Sequence, residues 1–234
     1  MAKNSSFVRV LGKVERKARQ LQGQIQVVQC CVRSNKMQIA YEQALRLEEL
    51  SERLTLLTRA LPAYTGVPTA LLDVEQVLER TIPVEIGFTK EEWFILRMPL
   101  LLPKKEKGSA DYIRSFLYPA MRDFFQGKEP VRYEDCVLIY RYVYSRDRPE
   151  RQMRDHDNIE TNMVTDTVAM YVLPDDAPKY CSHYSCSAVG KTERTEVYVI
   201  PKEDFGRWLE QEKNMPDEGV IVYENRSENA QKDM

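Results

Sequence analysis

The chain has 234 residues, 43% hydrophobic and 30% charged, with a formal net charge of −2. Thirteen Tyr and two Trp in a charge-balanced chain exclude a disordered polyelectrolyte and predict one full domain with a smaller appendage. Near-neutral charge gives no global pull toward polyanions, so any nucleic-acid contact has to come from local clusters of Lys and Arg.

The N-terminal "MAKNSSFVRVLGKVERKARQ" lacks the apolar core of a signal peptide, and no stretch reaches the roughly 20 apolar residues of a membrane span. The cysteines are Cys30, Cys31, Cys136, Cys181 and Cys186. Their odd number and the adjacent pair favour reduced thiols, so the expectation is a soluble, cytoplasmic protein with no membrane contact.

From Phe7, the residues Leu11, Val14, Ala18, Leu21, Ile25, Val28 and Val32 follow spacings of four and three, which predicts a helix with Asn4 and Ser5 at its start. A second stripe, Ala40, Ala44, Leu47, Leu50, Leu54, Leu57 and Leu61, runs to "LPAYTGVP", where Pro62, Gly66 and Pro68 end it. Between them "RSNK" is the only polar break. The stripes can cover each other in an antiparallel hairpin, or form a continuous helix that pairs with a second chain. Either way residues 1–66 form an arm suited to packing, self-association or a protein partner. Arg9, Lys13, Arg16, Lys17 and Arg19 make its first helix basic on the outside.

Residues 67–92 carry a short helix, "PTALLDVEQVLERT", and a first strand, "IPVEIGF". Residues 93–226 begin with the strand "WFILRMPLLLP" and the basic loop "PKKEKG", with Lys104, Lys105 and Lys107. There follows a helix capped by Ser109, kinked or split by Pro119 and closed by Gly127. "YEDCVLIYRYVYS" predicts a central strand, "YCSHYSCSAVGKTERTEVYVIP" a hairpin turning near Gly190–Lys191, and "EDFGRWLEQEKN" a closing amphipathic helix. The predicted order is β-β-α-β-α-β-β-α, with a polar tail at 227–234.

The chemistry-bearing stretch is "RQMRDHDNIETNMVTDTVAMYVLPDDAP". If the strand from 133 extends to Asp157, then Asp155 and Asp157 lie on one side of it, because side chains alternate along an extended chain. Two carboxylates on one face, joined by Asp175 or Asp176 after the helix, suit a hard divalent ion such as Mg²⁺. The competing reading is structural: "DNIE" is a capping box from Asp157 to Glu160, and "LPDD" is ordinary turn chemistry. Arg146, Arg148, Arg151 and Arg154 precede the acidic pair and match phosphate oxygens, or form surface salt bridges with it. "YCSHYSC" invites a zinc reading through Cys181, His183 and Cys186, but strand alternation separates Cys186 from the other two and a fourth ligand is missing. His156 beside the acidic cluster is a conceivable acid–base group or a solvent-facing residue.

"RDHDN", a helix, and "LPDD" together resemble the Holliday-junction resolvases of the RusA type, over about residues 93–201. The resemblance implies a small α+β fold with a mixed β-sheet and packed helices, usually dimeric, with Mg²⁺-dependent cleavage of branched DNA. By position it implies metal-binding and catalytic roles for Asp155, Asp157 and Asp176, with Asp175 as the neighbouring member of the doublet. It also implies backbone contacts from Arg146, Arg148, Arg151, Arg154, Lys104, Lys105 and Lys107. One position departs from the family pattern: Thr161 stands where a lysine is common, and a threonine cannot offset developing phosphate charge as a cation does. Lys179, Lys191 or an arginine of 146–154 is the expected substitute. A relative that keeps the fold but only binds DNA or protein is the alternative.

Overall fold

The computed structural model describes residues 2–128, 131–148 and 153–226, with side chains from Ser6 onward. Arg151 and the tail at 227–234 lie outside the described residues. The chain divides into two compact units, Met1–Val77 and Leu78–Met234.

In the first unit, helices α1 (Ala2–Arg33) and α2 (Met37–Ala60) are joined through Ser34–Lys36. The chain reverses because Asn35 takes a left-handed conformation (φ 53°), which Asn tolerates better than most residues. Lys36 N–H donates to Cys31 O at 2.9 Å and satisfies one end carbonyl of α1. The two helices pack on each other, and Gln24 Nε2 donates to Gln43 O (2.9 Å) and to Gln43 Oε1 (3.0 Å). Two helices cannot enclose both stripes. Of the stripe residues Ala40 is buried, Leu11, Val14, Leu21 and Val28 are half-buried and Ile25 and Val32 remain exposed, as do Val27, Ile39 and Leu45 outside the stripes. A 3₁₀ turn, Leu61–Thr65, ends at Gly66 (φ 81°), and α3 (Ala70–Thr81) follows.

The second unit is a mixed α+β structure. Its elements are β1 (Glu85–Phe88), β2 (Phe94–Met98), α4 (Ser109–Phe125), β3 (Cys136–Ser145), α5 (Asn162–Val172), β4 (Cys181–Gly190), β5 (Arg194–Pro201) and α6 (Phe205–Glu212), in the predicted order. The five-stranded sheet runs β1-β2-β5-β3-β4, with β3 and β4 parallel and every other pair antiparallel. The predicted hairpin at 180–201 therefore does not form, because β3 is inserted between β4 and β5. Strand β3 is buried at nine of its ten positions, and only an interior place with both faces covered can bury such a strand. Strand β4 is buried only at its two end residues, half-buried or exposed between them, and takes the edge. Residues 191–193 then step across about 10 Å, two strand spacings.

One face of the sheet packs Trp93, Ile95, Val137, Ile139, Tyr198 and Ile200 against Trp208 of α6. The other carries Leu138, Tyr140, Tyr142 and Tyr144, all buried, under α4 and α5. Phe94 stacks on Phe125 of α4 (6.1 Å), and Tyr140 Oη lies 2.8 Å from Thr165 Oγ1 of α5. Pro119 sits inside α4 without splitting it. Ile113, Phe116, Leu117 and Met121 are buried on both sides of it, and that packing outweighs one lost backbone bond. Gly127 (φ 75°) follows the helix end as predicted.

Strand β1 is closed by Tyr223, whose N–H donates to Phe88 O (2.9 Å) while Phe88 N–H donates to Tyr223 O (2.8 Å). This approach requires Gly87: a Cβ there would lie 2.2 Å from Tyr223 O and 2.7 Å from Val222 Cγ1. Gly87→Ala is expected to lift this segment from β1 and to cost about 1–3 kcal/mol, as overpacking does. Urea denaturation of the full chain measures it.

Candidate functional site

The acidic stretch is held by four anchors. Arg154 N–H donates to Tyr144 Oη at 3.2 Å, and its guanidinium Nη1 donates to Leu102 O. His156 Nε2 pairs with Ser187 Oγ at 2.8 Å, with its ring 5.2 Å from that of Tyr142. Ile159, 3% exposed, forms an antiparallel bridge with Lys104. That bridge is fixed by Glu160 N–H to Pro103 O (2.9 Å) and Lys105 N–H to Asn158 O (2.8 Å). Glu160 is buried, and its Oε2 accepts from Ser109 Oγ at 2.9 Å, in the first turn of α4, where the helix dipole favours a carboxylate.

With its ends fixed inward, the turn turns Asp155, Asp157 and Asn158 out to solvent. The geometry behind the paired-carboxylate expectation is different from the one predicted. Strand β3 stops at Ser145, and Asp157 lies in a 3₁₀ turn, His156–Asn158, so strand alternation does not aim Asp155 and Asp157 the same way. The capping box does not form either. Helix α5 starts at Asn162 with Thr161 as its N-cap, and Glu160, the expected capping partner, is engaged by Ser109. Ser109 in turn is not the cap of α4, since Gly108 (φ 99°) holds that place. Its hydroxyl oxygen accepts from Glu106 N–H at 3.2 Å.

Asp175 and Asp176 are exposed between α5 and β4. The charge of Asp176 is felt by Asp166, whose carboxyl is raised first by burial, then by Asp176, against the lowering influence of Arg114. It is also felt by His183, near the start of β4. His156, in contrast, is tied to Ser187, four residues further along β4 than His183, about 13 Å at the rise of a strand. Among the described residues no three His, Cys, Asp or Glu side chains gather into a group that could hold a metal ion. Asp155, Asp157 and Asp176 are therefore not part of such a group among the described residues.

The cations are arranged more informatively. Lys104, Lys105 and Lys107 are exposed, and the Lys104–Ile159 bridge sets their loop alongside the 155–158 turn. The described arginines of this run are engaged within the chain. Arg146 Nη2 donates to Asp217 (2.9 and 2.7 Å), and Arg148 Nε to Glu193 (2.5 Å). Of the expected lysine substitutes, Lys191 pairs with Glu218 at 3.4 Å and Lys179 lies over the Tyr180 ring at 4.4 Å. Thr161 is tied by its backbone, its carbonyl accepting from Tyr140 Oη (3.2 Å) and Thr165 N–H (2.8 Å).

In the "YCSHYSC" strand, Cys186 packs against the α6-side core. Cys181 lies on the other face with Cys136, its register partner on β3. No local pattern linked these two cysteines, nor Glu160 to Ser109, because both pairings are set by the fold.

The chain belongs to a family of unknown function, DUF6100, whose model matches residues 2–226 and so spans both units. No curated protein matches the chain, and no solved structure does.

Proposed function

We propose that the α+β unit of this DUF6100 chain is a DNA-backbone-binding module, related in pattern to RusA-type resolvases but not dependent on hydrolysis for its role. The observation that supports this reading is the antiparallel bridge between Lys104 and Ile159. It places three exposed lysines, the charge a phosphate contact needs, on a loop beside the 155–158 turn, whose Asp155 and Asp157 carboxylates oppose rather than hold a phosphate. Arg146, 57% exposed at its side chain in its pair with Asp217, can exchange that partner for a phosphate, since exposed ion pairs are weak. Branched DNA is the preferred substrate class because the resemblance points there. The apolar residues exposed on α1 and α2 suit a second copy of the chain or a protein partner.

A second reading, Mg²⁺-dependent cleavage of branched DNA through Asp155, Asp157 and Asp176, rests on the RusA-like spacing. Four-way-junction DNA incubated with the protein and Mg²⁺ separates the two. Binding in chelator, unchanged by Mg²⁺ and without strand scission, is the expected result. Cutting that disappears in Asp155→Asn/Asp157→Asn would establish the second reading instead.

A further inference from the structure

Strands β3 and β4 each begin with a cysteine, and the two are in register: Cys136 is the Cα partner of Cys181 across the only parallel pair among the described strands. Adjacent strands lie about 4.8 Å apart, inside the Cα separation that a disulfide spans. Both are free thiols, 0% and 3% exposed. Cys136 Sγ donates to Tyr180 O (3.4 Å) and Cys181 Sγ to Ser182 O (3.5 Å), and the two thiols also interact with each other across the strands. His183, two residues along the same strand face, is exposed and stands against Cys181.

We propose that Cys136 and Cys181 form a reversible dithiol–disulfide site, with Cys181 as the attacking thiol, Cys136 as the resolving thiol and His183 as the positioning residue.

The charges around the pair agree with that division of roles. The Cys136 thiol beside it holds the Cys181 thiol below the usual range against the effect of burial, and His183 adds to the lowering. The Cys136 thiol is pushed up, first by its hydrogen bond to Cys181 and then by burial, with Asp135 adding. His183 is raised, by Cys181 first and also by Asp176, so a thiolate–imidazolium pair is favoured. Strand β4 is the sheet's edge, so opening at its first residue exposes the sulfur without unfolding the core.

The co-reactant is a small-molecule disulfide. The Cys181 thiolate attacks one of its sulfurs, the S–S bond breaks, and the departing thiolate takes a proton, leaving a mixed disulfide on Cys181. Cys136 then gives up its proton, with His183 or water as acceptor, and its thiolate attacks Cys181 Sγ and expels the second thiol. The protein loses two electrons and two protons, and the reagent becomes two thiols.

The test uses the full chain carrying Cys30→Ser and Cys31→Ser, which removes the exposed and half-exposed arm thiols. After oxidised glutathione, peptide mapping is expected to join Cys136 to Cys181 and leave Cys186 free. The oxidised form should unfold at higher urea than the reduced form, because the bond closes a long loop. Cys136→Ser is expected to hold glutathione on Cys181, and His183→Gln to slow that adduct severalfold near neutral pH. Should the native protein keep both thiols open to alkylation after oxidation, or couple Cys186 instead, the proposal is overturned. This reading of wild-type sulfur does not depend on either cysteine variant folding, and its failure would leave the DNA-binding reading unaffected.

Discussion

Glu196→Ala is expected to destabilise the α+β unit by about 3–5 kcal/mol, the cost of removing one member of a buried charge cluster. Glu196 is fully buried on β5. Its Oε1 accepts from Arg194 Nε at 2.7 Å, and its Oε2 accepts from Arg141 Nη1 at 3.1 Å and Tyr198 Oη at 3.0 Å. Arg97 Nε stands 3.5 Å from Oε1, a charge contact without hydrogen-bond geometry. Burial pushes the Glu196 carboxyl up, but Arg141, Arg194 and Arg97 outweigh it and hold the group below its ordinary value. A lowered carboxylate contributes stability that is present above its unfolded pKa of about 4.3 and is lost as pH falls through the folded value. Urea denaturation should therefore show Glu196→Gln, which keeps the shape and drops the charge, well below wild type at pH 7. The gap should narrow only once the pH falls below about 4. An equal gap at pH 7 and at pH 3 would remove the arginine cluster from the account.

Trp208→Ala is expected to cost a similar 3–5 kcal/mol. The eight residues of α6 are too few to persist as a helix without packing, and Trp208 is the only one of them that is buried. Its ring meets Tyr198 at 5.7 Å and Tyr184 at 6.0 Å, edge to face in both cases. Its indole Nε1 is buried with no hydrogen-bond partner among the described residues. Trp208→Phe therefore loses volume but no bond and is expected to cost only about 1–2 kcal/mol. Trp93, the chain's other tryptophan, sits in the same cluster. Its fluorescence should shift to the red in Trp208→Ala and stay near wild type in Trp208→Phe.

What could be read in the sequence was what local patterns carry. The helix stripes of the arm, the glycine after α4 and the order of the eight α+β elements follow from periodicity and turn chemistry, whereas the polar break at "RSNK" was compatible with a hairpin and with a continuous helix. Sheet order was not legible. "GKTE" between two strand-like runs reads as a hairpin, and only the demand of β3 for two covered faces separates β4 from β5. The same limit governs the site. The "DNIE" pattern is a sound local capping box, yet Glu160 is taken by Ser109, 51 residues earlier. Asp155 and Asp157 would share a face only on an extended chain, and the His156–Asn158 turn removes that condition. The lysines of "PKKEKG" were visible as a basic run, but their place beside the acidic turn depends on the Lys104–Ile159 bridge, which leaves no mark in either segment. Cys136 reads as one residue of an apolar strand until β4 lines up beside it.

The salt dependence of binding to four-way-junction DNA tests the central claim most directly. Each lysine that neutralises a phosphate adds nearly one to the slope of log affinity against log salt. The variant Lys104→Ala/Lys105→Ala/Lys107→Ala should bind about tenfold or more weakly near physiological salt, with a slope shallower by about 2–3. Asp155→Asn/Asp157→Asn should bind at least as well as wild type. A triple variant with unchanged affinity and slope would contradict the lysine loop as the phosphate contact, and with it the proposed DNA-binding surface.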